Sequence, residues 1–133
     1  MGELGHKIQK LIWQASHHRP GFAYNVHLQG GQTDKLTPVQ ALNLFRIAQE
    51  AINNVFKHSQ SNSLVVTLMV LVPGQLEMRI KDKGRGFDAA CQPQEDHYGL
   101  ANMQARAQEL GGCFKVRALP GKGTLIYVKV NLQ

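Results

Sequence analysis

The segment from Thr37 to Ser59 constrains the fold more than any other part of the chain. Thr37 has the chemistry of a helix N-cap, Pro38 suits the first helical position, and Gln40 completes a capping box. At about 100° per residue, Ala41, Leu42, Leu44, Phe45, Ala48, Ala51, Ile52, Val55 and Phe56 fall on one half of the predicted helix. Asn43, Arg46, Glu50, Asn53, Asn54 and Lys57 fall on the other half, with His58 at its margin. A helix so strongly two-sided has to lay its apolar half on another layer.

The flanking sequence supplies that layer. Leu4, Ile8, Leu11, Ile12 and Ala15 recur at helical spacing over residues 4 to 18, and Pro20-Gly21 ends the segment. Phe22, Tyr24, Val26 and Leu28 alternate as in a strand. After the central helix, Leu64 to Val72 is rich in β-branched residues, and Pro73-Gly74 makes a turn. Leu76, Met78 and Ile80 then alternate with Glu77, Arg79 and Lys81, the pattern of a half-buried strand. Asp82 to Phe87 is a loop punctuated by glycine, and residues 88 to 97 have no periodicity, which suggests mobility. Leu100, Met103, Ala107 and Leu110 mark a further helix, stopped by Gly111-Gly112. Phe114 to Val116 and Leu125 to Leu132 read as strands around a Pro120-Gly121-Lys122-Gly123 turn. The order α, β, α, β, β, loop, α, β, β predicts an α+β fold. It is a two-layer α/β sandwich whose mixed sheet is covered on one face by helices. A doubly wound fold would need regular strand–helix alternation.

With 133 residues the chain is long enough for one domain. Its longest apolar run falls short of the ~20 residues that cross a bilayer, and the N-terminus has no signal-peptide core. Cys91 and Cys113 lack CxxC spacing, and two free thiols in a reducing cytoplasm are the simpler expectation. The net charge of +6 suits a polyanion. The basic residues are scattered along the sequence, however, and no nucleic-acid partner is expected.

Several positions could carry chemistry, each with a plainer structural alternative. Glu50 and Asn54 are one helical turn apart and point the same way. Their oxygens suit magnesium, which often takes one or two protein ligands plus phosphate and water. Glu50 could also orient or deprotonate a nucleophile. The alternative is an ordinary solvated helix face. Asp82, ending a strand, could accept a hydrogen bond from an exocyclic amine, and Gly84 and Gly86 would let a planar ligand approach the backbone. The alternative is a polar turn. Gly99 is expected just before a helix start, a natural phosphate seat. Thr124, entering the last strand, could donate its hydroxyl. His6, His17, His18, His27 and His97 lack zinc-type spacing, and Trp13 and Tyr24 are expected in the core or at an interface. There is no dinucleotide GxGxxG, no Walker A sequence and no GxSxG elbow.

The order and spacing of these weak signals are specific. Glu50-x-x-x-Asn54-x-x-Lys57-His58, Asp82-x-Gly84-x-Gly86, His97-Tyr98-Gly99-Leu100 and Gly121-Lys122-Gly123-Thr124 together resemble the GHKL (Bergerat) ATPase fold of gyrase, Hsp90 chaperones, MutL and histidine kinases. FRIAQEAINNVFKHSQ and YGLANMQARAQELGG resemble the nitrate/nitrite-sensor (NarX/NarQ) and DesK-like kinases, which pair with LuxR/NarL-type response regulators. The likeness covers roughly residues 20 to 133. It implies an ATP-binding catalytic domain over residues 21–133, with residues 1–20 forming a helix that leads in from a dimerisation domain. It implies ATP and Mg²⁺ as ligands, with Asn54 on the metal, Glu50 near the γ-phosphate, and Lys57 and His58 at the phosphate side. Asp82 would hold adenine, with Gly84 and Gly86 shaping its pocket. Gly99 and Leu100 would form the hinge of a lid over residues 88–98, and Thr124 would lie near adenine.

The chain departs from the family pattern in two places. His97 stands where a glycine often opens the second glycine box, and no histidine is followed by an acidic residue as in a phosphoacceptor site. The resemblance therefore implies a catalytic protein-histidine kinase fragment whose substrate histidine lies outside this chain. The fragment would be cytoplasmic and soluble, and its parent an inner-membrane sensor. Alternatives on the same fold are an anti-sigma-factor-type serine kinase and a non-catalytic ATP-binding module.

Overall fold

In the computed structural model, Thr37 caps a helix, α2 (Pro38–His58), with the reciprocal geometry of a capping box. The Gln40 N–H donates to Thr37 Oγ1 at 3.1 Å, and the Thr37 N–H donates to Gln40 Oε1 at 3.1 Å. The structure describes residues 3–30, 36–58, 62–71, 74–83, 94–119 and 123–132. The other elements are α1 (Glu3–Ala15), β1 (Ala23–Gln29), β2 (Ser63–Leu71), β3 (Gln75–Asp82), α3 (Gln94–Glu109), β4 (Cys113–Leu119) and β5 (Gly123–Asn131).

The strands form one five-stranded sheet in the order β1-β2-β3-β5-β4. β1 and β2 are parallel, and α2 is the crossover that a parallel pair requires. The remaining pairs are antiparallel, so the sheet is mixed, as expected. Alternation along the strands sends Leu64, Val66, Leu68, Leu76, Met78, Ile80, Ile126, Val128 and Val130 to one face, where all are buried. Against them lie Leu44, Ile47, Ala48, Ala51, Ile52 and Val55 of α2, Met103 and Ala107 of α3, and Leu4, Ile8 and Ile12 of α1. Each large side chain so buried contributes about 1.5–3 kcal/mol. α1 is thus part of the same core as the sheet.

Four local expectations need correction. Leu42, placed on the apolar half of α2, is 54% exposed, while Asn43, placed on the polar half, is 5% exposed. The cause is α3, which packs beside α2: Arg106 Nη1 donates to Asn43 Oδ1 at 3.4 Å. A helix flanked on its side as well as beneath buries a wider arc than a wheel centred on the sheet allows. Of the two places expected for Trp13, core or interface, the core is excluded: it is 54% exposed, edge-on to His17 with ring centroids 4.4 Å apart. α1 ends at Ala15, where Ser16 Oγ and His17 Nδ1 both reach Trp13 O and a short 3-10 turn, Ser16–His18, takes over. Finally, α3 begins at Gln94, five residues before Gly99. The expected mobility of residues 88 to 93 falls outside the described residues.

Among the described residues no helix packs on the other face of the sheet. Tyr127 sits there between Arg79 and Lys115, whose charged groups lie 5.6 and 6.0 Å from its ring centroid. Burial, and then the Glu77 carboxylate, push the Tyr127 hydroxyl above its ordinary pKa, with Arg79 opposing.

Candidate functional site

A few contacts fix which way the helices run over the sheet. At the start of α2, Gln40 Nε2 donates to Asn131 O at 2.8 Å, anchoring it at the C-terminal end of β5. At its other end, Arg19 Nη2 donates to Phe56 O at 2.9 Å, and the Phe22 and Phe56 rings lie 4.7 Å apart. Phe22 directly precedes β1, whose first residue, Ala23, is paired with Ser63. The next residue of β2, Leu64, is paired with Asp82, and Asp82 with Thr124. The last turns of α2 therefore lie at the end of the sheet that carries Asp82 and Thr124.

α3 runs the opposite way. Gly111, at φ +65°, and Gly112 close it through Gly111 N–H to Gln108 O and Gly112 N–H to Ala107 O, both at 2.9 Å. A Cβ on Gly112 would stand 2.6 Å from Lys129 O, so this terminus is pressed on the far end of β5. At ~1.5 Å per residue, the first turns of α3 reach back toward the Asp82 end. Leu100 is half-buried there, packed against the core. Gly99 does not precede the helix, as expected, but lies on its second turn. Its N–H belongs to the helical ladder, so the expected phosphate seat at a helix start is not at Gly99.

Asp82 ends β3 on the covered face, in line with Leu76, Met78 and Ile80, and is 4% exposed. Thr124 stands opposite on the same face and is half-buried. Beside them lies a residue that sequence reasoning placed in a turn and in the Gly121–Thr124 motif but gave no role of its own. Gly123 has φ +97°, and a Cβ there would fall 2.2 Å from Asp82 O. Only glycine lets β5 begin this close to the end of β3. The Gly121-Lys122-Gly123 run was its one visible signal.

Glu50 and Asn54 share a stripe of α2 with Asn43 and Ile47, the stripe that faces α3. Both are half-buried, and among the described residues neither side chain makes a hydrogen bond. Lys57 is exposed, on the stripe shared with Leu42, Arg46 and Asn53. His58 is the last residue of α2, and its side chain falls outside the described part, as do Gly84 and Gly86. Among the described residues no group of three or more His, Cys, Asp or Glu could hold a metal ion. An amide oxygen and a carboxylate one turn apart instead fit Mg²⁺, which completes its shell with phosphate and water.

The covered face thus gathers a buried carboxylate at a strand end, a threonine beside it, and a polar helix stripe between two antiparallel helices. This is the layout of an ATPase-type α/β sandwich. Residues 39–133 match the family described as histidine kinase-, DNA gyrase B- and HSP90-like ATPase, and the chain belongs to that family. It is similar to the sensor histidine kinase LiaS of Bacillus subtilis (strain 168), at 44% identity over 89 residues, 67% of this chain and 24% of LiaS. It is also similar to the sensor protein VraS of Staphylococcus aureus (strain COL), at 43% identity over 90 residues, 68% of this chain and 25% of VraS. The chain spans about a quarter of the length of these curated relatives. Among solved structures, the histidine kinase domain from the Erythrobacter litoralis EL346 blue-light activated histidine kinase superposes with a TM-score of 0.75. That match has 26% identity and covers 97% of this chain and 65% of that one. Among the described residues no helix is long and apolar enough to cross a membrane.

Proposed function

We propose that this chain is the ATP-binding catalytic domain of a two-component sensor histidine kinase. It moves the γ-phosphoryl group of ATP to a histidine of a dimerisation domain outside this chain, for relay to a LuxR/NarL-type response regulator. What supports the reading is that Asp82 and Thr124 stand side by side at the end of the covered face toward which the last turns of α2, with Asn54, run. Identity with LiaS and VraS favours histidine over serine as the acceptor.

In this reading Asp82 accepts a hydrogen bond from the adenine amine, and burial makes that bond selective because a mismatched base leaves the carboxylate poorly satisfied. Thr124 donates beside it, and Gly123 keeps the two strands close enough for both to touch one base. Gly84 and Gly86 would shape the same pocket, as the Asp82-x-Gly84-x-Gly86 spacing implies. Glu50 orients the incoming histidine nitrogen, and Asn54 would hold Mg²⁺. That ion, when bound, neutralises charge on the phosphates. Lys57 and His58, on the last turn of α2, would serve the phosphate side. Gly99 and Leu100, in the first turns of α3, would lie at the hinge of the lid that the family resemblance implies. The histidine nitrogen bonds to phosphorus as the bond to the β–γ bridging oxygen breaks, and ADP leaves. Residues 1–20 connect to the dimerisation domain and 21–133 carry catalysis, on the cytoplasmic side of a parent anchored in the inner membrane.

The test supplies an acceptor dimerisation domain and labelled ATP. The wild type should transfer label in an acid-labile, alkali-stable form, while Asn54→Asp and Asp82→Ala should transfer none. Normal labelling by both variants would remove the site assignment, and acid-stable label would point to a hydroxyl acceptor.

A further inference from the structure

The open face of the sheet concentrates charge that the sequence scatters. Strand register sets Arg79 and Lys115 on either side of Tyr127, and Lys81 and Arg117 on either side of Leu125. Lys129 completes the group, next to Glu77. Among the described residues, five lysines and arginines and one acidic residue stand on this face, a surplus of positive charge that fits the chain's net +6. The single acid is already taken. Glu77 is bound by Arg79 at 2.7 Å, and its side chain is only 9% exposed. Lys81, Lys115 and Arg117 are exposed and Lys129 half-buried, and among the described residues none of the four has an ion-pair partner.

We propose that this face docks on the anionic headgroup surface of a lipid bilayer. The cations form a shallow array, about 10 Å from β3 to β4 across the intervening β5 and about 7 Å along each strand. Such an array complements an extended negative surface, and clusters of roughly four to eight basic residues are what anionic leaflets attract. Leu125 and Tyr127 in the middle give the array an apolar and amphipathic centre suited to the interface. A single-stranded nucleic acid fits less well, because its bases need an open aromatic face. Both flanks of the Tyr127 ring are occupied by cations. An acidic protein would need a shaped complement, whereas mobile headgroups follow any arrangement of flexible lysines. The helices and the proposed ATP site lie on the opposite face, so docking leaves them clear.

The experiment pellets the 133-residue chain with vesicles of phosphatidylcholine, with and without phosphatidylserine. Binding is expected only to the phosphatidylserine vesicles, and it should fade as salt shortens the screening length. The triple variant Lys115→Gln/Arg117→Gln/Lys129→Gln should bind on the order of a hundredfold more weakly, and Lys115→Gln alone about fivefold. Lys7→Gln/Lys10→Gln, which removes two cations from α1, should bind like the wild type. Asp82→Asn should also keep vesicle binding whatever it does to ATP, so this proposal and the kinase reading fail separately. Equal pelleting of wild type and both sheet-face variants, an equal loss in the α1 variant, or no binding at low salt would overturn the proposal. So would face-dependent binding of polyglutamate or an oligonucleotide without vesicle binding, each of which would assign the face to a different partner.

Discussion

At its N-terminal end α2 is stitched to the sheet, whereas at its C-terminal end it shares space with the residues best suited to a ligand. The stitched end uses neutral hydrogen bonds: Gln40 to Asn131 O, Leu132 N–H to Gly74 O at 2.9 Å, and Gln75 Nε2 to Asn131 Oδ1 at 3.2 Å. Beside the other end stand Asp82 and Thr124, with the half-buried Glu50 and Asn54 on the approach. In the proposed reading, one helix thus serves stability at one terminus and chemistry at the other.

Substitutions at the two ends should therefore separate binding from stability. The largest effect is expected from Asp82→Asn, which keeps shape and removes the charged acceptor: ATP should bind about 10- to 100-fold more weakly by calorimetry. Unchanged affinity would break the contrast. Gly123→Ala comes next, because its Cβ meets Asp82 O and its φ of +97° is strained for any side chain. The thermal midpoint should report about 1–3 kcal/mol of lost stability, accompanied by weaker ATP binding, since the strand end that carries Asp82 must shift. Gln40→Ala removes half of the capping box and the tie to Asn131, so denaturant unfolding should lose about 1 kcal/mol while ATP affinity stays put. A drop in ATP affinity there would mean that the two ends are coupled. Arg106→Ala should have the smallest effect. Its bond to Asn43 is long at 3.4 Å, and a loss below about 1 kcal/mol is expected in the same unfolding assay.

Much of this was legible before any coordinates. The capping box at Thr37 and Gln40 named the start of α2 because cap chemistry is local. Alternation in residues 76–81 assigned the two faces of β3, since a strand's period of two leaves little choice. The reading failed where a neighbour overrode the pattern. Leu42 and Asn43 exchanged roles because α3 packs beside α2, and no wheel contains α3. The pattern puts the start of α3 too late because Gly99 reads as a boundary, although a helix can carry one glycine for about 1 kcal/mol. Gly123 went unnoticed as a site residue because its necessity lies in the Asp82 backbone, far away in sequence.

By itself the sequence determined the kinds of element, their order, the inward faces of β1 and β3 and the set of polar residues available for chemistry. Those properties follow from side-chain period, capping and turn residues, all of which act within a few positions. Only the tertiary structure decided that β5 enters between β3 and β4, that Thr124 stands across from Asp82, and that α2 and α3 run in opposite directions. It also decided that scattered lysines and arginines share one face of the sheet. Strand order and register are choices among distant partners, settled by which pairing buries the most apolar surface at once, and no local signal in the chain encodes them.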